Sequence, residues 1–180
     1  FTLDEETYNV TEINVTLETG IYVLTAYAED YAGNYIVVIV TFFVDATPPD
    51  ISEIYVNYMP NETIVNMTVE QLGFNVSEES NVTVYIDGQL VYSGVVNGTF
   101  NIDLESLNVT LTDGEHTVTV VITDMYGNRA TYEYVIVVDT TPPILHIEGL
   151  ENNTRINGTA RVSVYVDDNI ELEKVDVYVN

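Results

Sequence analysis

The segment DGEHTVTVVITDMYGNRATYEYVIVVDTTPP, residues 113 to 143, reads as two β-strands joined by a tight loop. In HTVTVVITD (116–124) apolar and polar residues alternate, which is the period of a sheet buried on one face. DMYGN (124–128) supplies a hairpin loop in which Gly127 can take the left-handed backbone. Pro142 and Pro143 then fix φ twice and hold Thr141 extended, so the strand pair is followed by a short, stiff joint.

The same text occurs earlier in the chain. DYAGNYIVVIVTFFVDATPP (30–49) lies over DMYGNRATYEYVIVVDTTPP (124–143) at an offset of 94, and NVTLETG (14–20) lies over NVTLTDG (108–114) without a gap. Beyond the second proline pair, TPPDISEIYVNYMPNETIVNMT (47–68) has a shorter echo in TPPILHIEGLENNTRINGT (141–159), and NVTVYID (81–87) has one in KVDVYVN (174–180). Such a period marks an array of similar modules. We read the back half of one module over 1–47, a complete module over 48–141 and the front half of another over 142–180.

Within the complete module strands are expected at 51–57, 63–69, 72–77, 81–87, 89–93, 98–104, 115–123 and 129–138, with a hairpin at Asp87-Gly88 and almost no helix signal. Short strands broken by turns at this spacing predict an all-β protein of tandem β-sandwich modules with Greek-key connections, joined by Pro-Pro into a rod.

Composition bounds the function. The 46% apolar content and mean hydropathy of +0.11 argue for a folded chain despite a formal charge of −25. Four cationic residues against 29 acids exclude a phosphate-binding surface, so no nucleic-acid partner is expected. There is no cysteine, hence no disulfide framework, thiol nucleophile or thiolate metal site. FTLDEETYNV lacks the basic start and apolar core of a signal peptide and reads as the start of a mature chain or of a segment of a longer one. The longest apolar run, YIVVIVTFFV (35–44), is about half of what a spanning helix needs and is a strand, so no membrane span is expected in this segment.

DGEHTVTVVITDMYGNRATYEYVIVVDTTPP and NGTARVSVYVDDNIELEKVDVYV (157–179) resemble the immunoglobulin-like repeats of bacterial and archaeal surface proteins, whose modules close on a comparable Val-Asp-x-Thr-x-Pro pattern. The third module departs from the pattern: its first strand region is three residues shorter, and its VDDNIELEKV loop is longer than SEES in the second. The resemblance implies immunoglobulin-like modules serving as stalks, surface-layer building blocks, adhesin spacers or accessories to extracellular hydrolases.

The strongest chemical signal is N-glycosylation. Asn-X-Ser/Thr occurs at Asn9, Asn14, Asn61, Asn66, Asn75, Asn81, Asn97, Asn108, Asn152 and Asn157, ten of the seventeen asparagines. Random placement would give about three. Many are Asn-Val-Thr, which on a strand turns Asn and Thr outward and Val inward, so a glycan leaves the packing undisturbed. Strands rich in Asn, Val and Thr also generate such triplets by accident, and the excess weighs against that.

Acidic residues gather where modules would join. An end-to-end arrangement would bring Asp45 near Glu78, Glu79 and Asp124, and Asp113, Glu115 and Asp139 near Asp167, Asp168 and Asn169. Oxygen-rich clusters of this kind suit structural calcium. The plainer account is that Asp30 and Asp124 cap turns and the rest are solvated loop acids. No other cofactor is implied. His116 and His146 have no nucleophile setting beside them, so no catalytic residue is assigned. The fourteen tyrosines read as sandwich wall and rim more readily than as a sugar-binding platform.

These readings converge on a structural, N-glycosylated protein of the cell surface, part of a filament, surface layer or stalk, with an archaeal source fitting the sequon density. The rivals are an adhesin or glycan-binding module and a spacer attached to an extracellular hydrolase. Two further expectations concern contacts. Val37, Ile39, Thr41 and Phe43 stand where the complete module has Thr131, Glu133, Val135 and Val137, and so give an apolar outer face that a partner should cover. Phe1 aligns with Val95 and Asn180 with Asp87, so the end segments are complementary halves. They would be completed head-to-tail by another copy, as a homo-oligomer, or by continuing repeats of the same chain.

Overall fold

The computed structural model describes residues 14–60 and 64–179, and among them every regular element is a β-strand. The chain divides into two compact units, Phe1–Pro48 and Pro49–Asn180.

The first unit is an antiparallel hairpin of β1 (Gly20–Glu29) and β2 (Tyr35–Val44), in unbroken register from Gly20 opposite Val44 to Glu29 opposite Tyr35. Its loop is built by Asp30, whose carboxylate accepts the amides of Ala32 and Asn34 and the Asn34 side-chain amide, while Gly33 turns the chain at φ 88°. Tyr22 stacks on Phe42, and Tyr27 on Tyr35. Both faces of this hairpin are largely exposed, Val37, Ile39 and Phe43 included.

The second unit holds β3 (Ile51–Val56), β4 (Met59–Pro60), β5 (Ile64–Val65), β6 (Gln71–Ile86), β7 (Gln89–Asp103), β8 (Gly114–Asp124), β9 (Arg129–Val138), β10 (Ile144–Glu148) and β11 (Ser163–Asp167). β6 organises it. Its first half pairs with β3 and the end of β7, and its second half pairs with the start of β7 and with β8, which continues to β9 and the parallel β5. One hydrogen-bonded network therefore folds back on itself and closes two apolar faces on each other. Val56, Leu72, Phe74 and Ile102 from one half and Val82, Val118, Ile122, Ile136 and Val138 from the other form a single core. β10 and β11 form a separate antiparallel pair, with Ile147 opposite Val164.

Three strand expectations are corrected. The segments 72–77 and 81–87 are one strand, because the chain bends at an irregularity between Val76 and Ser80 without leaving the ladder. Likewise 89–93 and 98–104 are one strand, β7. Of the strand expected over 63–69, only Ile64–Val65 pairs among the described residues, and residue 63 lies outside them. The following residues are diverted by Asn57, whose side chain donates to the Thr68 carbonyl at 2.9 Å and accepts the Glu70 amide at 2.8 Å. At Asp87-Gly88 the expected hairpin turn appears with both residues at positive φ, 50° and 76°, and Gly127 turns the next hairpin at 93°.

Candidate functional site

Pairing of β8 with β9 sets Gly114 opposite Val138, which puts the residue before β8 beside the residues after β9. That residue is Asp113. Its carboxylate accepts the Thr140 amide at 2.9 Å, the Thr140 hydroxyl at 2.6 Å, the Thr141 hydroxyl, and the Asn169 side-chain amide at 3.0 Å. The hydroxyls of Thr140 and Thr141 and the Thr140 amide hold the Asp113 carboxyl far below the usual carboxylate range, with Asn169 adding to the effect. Each oxygen takes two donors, so Asp113 has no lone pair left for a cation. It clamps the stretch just before Pro142 and ties it to the loop after β11.

The first unit carries the same device with a hydroxyl in place of the carboxylate. Thr19 aligns with Asp113 through the 94-residue repeat, as Ala46 and Thr47 align with Thr140 and Thr141. Thr19 Oγ1 accepts the Ala46 amide at 2.9 Å and lies 2.6 Å from the Thr47 hydroxyl. Sequence reading missed this clamp. The gapless alignment of NVTLETG with NVTLTDG, read together with the proline pairs, was the signal that could have found it.

Of the acids assigned to the second junction, Asp113 and Asn169 touch, while Asp139, Glu115 and Asn169 line one open cleft together with Glu171. The Asp139 amide donates to the Val65 carbonyl at 2.9 Å, and its Oδ1 is buried without a hydrogen-bond partner. Carboxylates of Asp139, Glu115, Glu171 and Glu173 and the side-chain oxygen of Asn169 therefore lie along this cleft, the donor type a cation such as calcium takes. Asp168 accepts the amides of Ile170 and Glu171 at 3.1 Å, and Asp167 is exposed. Of the other set, Asp45 is half-buried and accepts the Thr47 amide at 3.1 Å. Glu78 is half-buried and Glu79 exposed. Asp124, only 3% exposed, accepts the amides of Tyr126 and Asn128 and the Asn128 side chain. Burial pushes the Asp124 carboxyl up, but those donors outweigh it and bring it below its ordinary value. Asp124 is thus the turn-building residue of its loop, as Asp30 is of the first.

Eight sequon asparagines fall within the described residues; Asn9 and Asn61 lie outside them. Asn14, Asn66, Asn81, Asn97, Asn108, Asn152 and Asn157 are exposed. Asn75 is half-buried and donates to the Ser52 hydroxyl at 3.2 Å. At Asn81-Val82-Thr83 the strand buries Val82 completely and turns Asn81 to solvent.

His116 has both ring nitrogens engaged, Nδ1 with Asp87 and Nε2 with the Thr112 carbonyl, each at 2.7 Å, which leaves no nitrogen to act as a base. His146 is exposed, 3.5 Å from Glu148 and stacked on Tyr165. No helix among the described residues is long and apolar enough to cross a membrane.

Residues 96–179 match the family described as Bacterial Ig-like domain (group 3). No curated protein matches the chain. The matched stretch enters within β7 and runs through β8, β9, β10 and β11, across the Pro142–Pro143 joint. Over these residues, just under half of the chain, the protein is similar to a bacterial immunoglobulin-like domain, in keeping with its all-β fold.

Proposed function

We propose that this is a structural, N-glycosylated protein of the cell exterior, built from immunoglobulin-like repeats and contributing to a filament, surface layer or stalk. The observation that carries the reading is the disposition of the sequons: seven of the eight described sequon asparagines face solvent, and Val82 between Asn81 and Thr83 is core. Sugar on such positions shields the surface without disturbing packing. Supporting it, the junction device at Thr19 and at Asp113 recurs with the repeat, which suits modules whose task is to be joined. Mass spectrometry of the native protein, before and after enzymatic or chemical removal of glycans, tests it. Modified asparagine at most of the ten sites is expected, and bare asparagine throughout would remove the reading. An adhesin would instead reveal itself by binding on a glycan array.

Calcium at the second junction belongs to the same proposal. It is favoured by two observations: Asp139 Oδ1 is buried without a hydrogen-bond partner, and Asp139 lines an open cleft together with Glu115, Glu171 and Glu173.

A further inference from the structure

A strand whose backbone is unpaired along one edge invites a further strand, and proteins blunt such edges with short length, charge or bulk. Among the described residues of the network from β3 to β9, the strands β4 and β5 are edges of two residues each. β3 is unpaired on its outer side from Ile51 to Ile54 and carries Glu53 there. β9 is unpaired on its outer side from Arg129 to Ile136, before it meets β5, and carries Arg129 and Glu133. β7 differs from all of these. It pairs with β6 alone, from Gln89 to Asp103, so its other edge is open along the whole strand. No charged residue and no proline occurs from Gln89 to Ile102, and Leu90 and Val95 are 62% and 64% exposed. A long, uncharged edge rich in Val, Tyr and Phe is the kind that pairs with another copy of itself.

What this edge does carry is a sequon. Asn97-Gly98-Thr99 stands near its middle, with Asn97 and Thr99 both exposed. Asn97 occupies the bend of the strand, where the register passes from Val96 opposite Ser80 to Gly98 opposite Val76 and Gly98 takes φ 75°. A strand added to β7 would have to run about 4.8 Å from it along its length, and a sugar on Asn97 would stand in its path. The repeat shows one guard exchanged for another. It lays Gly98, Thr99 and Phe100 over Asp4, Glu5 and Glu6, so the first copy has three acids and no sequon over 3–6, and the second has a sequon and no acid over 97–100.

We propose that an N-linked sugar on Asn97 guards the β7 edge and keeps a second copy of the chain from adding its own β7 there. The sugar does for β7 what Glu53 does for β3 and what Arg129 and Glu133 do for β9. The inference rests on the glycosylated-surface reading and gives this one sequon a task that its exposure alone does not.

The test compares the glycosylated full chain with Asn97→Gln, which keeps a polar amide and loses the sugar, and with Asn97→Lys, which puts a charge where the sugar was. Asn157→Gln, which removes a sequon in the loop between β10 and β11, is the control. Sedimentation at rising concentration is expected to show Asn97→Gln self-associating at about tenfold lower concentration than the wild type and the control, with Asn97→Lys close to the wild type. Hydrogen exchange over residues 89–103 should slow as Asn97→Gln associates. Four outcomes would each overturn the proposal: Asn97→Gln associating no more than the wild type, Asn97→Lys associating as Asn97→Gln does, an equal effect of Asn157→Gln, or association without slower exchange over 89–103. Mass spectrometry separates the proposal from the reading beneath it. Asn97 bare while the other sequons carry sugar sinks the edge guard alone, and bare asparagine throughout sinks both.

Discussion

His116 Nδ1 lies 2.7 Å from Asp87 Oδ2, while its Nε2 lies 2.7 Å from the Thr112 carbonyl oxygen. Both partners can only accept, so both bonds form together only when the ring carries two protons. Burial pushes the His116 ring down, yet the bonds to Asp87 and Thr112 and the Asp87 charge outweigh it, and the net shift is upward. The hydrogen bond from His116 lowers Asp87 in turn, against a smaller opposing effect of burial.

The pH dependence follows from these directions. The His116 contribution is complete below its unfolded value of about 6.5 and is lost as pH rises through the raised folded value. The Asp87 contribution is present above about 3.9 and is lost as pH falls through its lowered one. Asp87 is half-exposed, so solvent screening keeps the pair to about 0.5–1 kcal/mol. Urea midpoints measured from pH 5 to 9 should fall on the alkaline side in the wild-type chain, and His116→Gln should flatten that slope.

Asp113→Ala removes the acceptor of four donors and should loosen the stretch from Thr140 to Pro143 together with the loop at Asn169, while β8 and β9 stay folded. Hydrogen exchange at the Thr140 amide should accelerate at least tenfold, with little change at the Val120 amide. Because the Asp113 carboxyl titrates far below the ordinary range, its contribution is present above about 3.9 and survives mild acid.

Phe74 is fully buried in the core, and Phe74→Ala should cost about 3–5 kcal/mol in denaturant unfolding. Phe43→Ala, at an exposed position of the first hairpin, should change the stability of an isolated copy by less than about 0.5 kcal/mol.

Two glycines should fail for different reasons. Gly88 has open space around it but sits at φ 76°, so Gly88→Ala should cost about 1 kcal/mol. A Cβ on Gly73 would lie 2.2 Å from Asn101 Oδ1 and 3.0 Å from the Phe100 carbonyl oxygen, and Gly73→Ala should cost about 1–3 kcal/mol by forcing β6 and β7 apart. Thermal unfolding of the two variants side by side measures the difference.

Calcium at millimolar concentration should raise the Tm of the wild-type chain, and a chelator should reverse the gain. Asp139→Asn, which keeps the shape and removes the charge, should abolish the response if the Asp139 carboxylate binds the ion. A Tm unmoved by calcium in the wild type would remove the metal from the reading.

The sequence by itself determined the alternation of buried and exposed residues in β8 and β9, the turns at Asp87-Gly88 and Gly127, and the turn-building roles of Asp30 and Asp124. These are local properties: a two-residue period, a positive φ and a side chain bonding its own loop need no distant partner. The outward placement of seven of the eight described sequon asparagines was legible for the same reason; Asn75 is half-buried against Ser52. Only the tertiary structure decided that β6 and β7 each run unbroken through their bends, because their mutual pairing resumes beyond the irregularity at Val76/Ser80 while β3 and β8 hold the two halves of β6. It alone brought Asp113 to Thr140 and Thr141 across the hairpin ends, and His116 to Asp87 across 29 residues. Such contacts depend on strand register, which is set by which apolar residues meet in the core and cannot be read from any one strand.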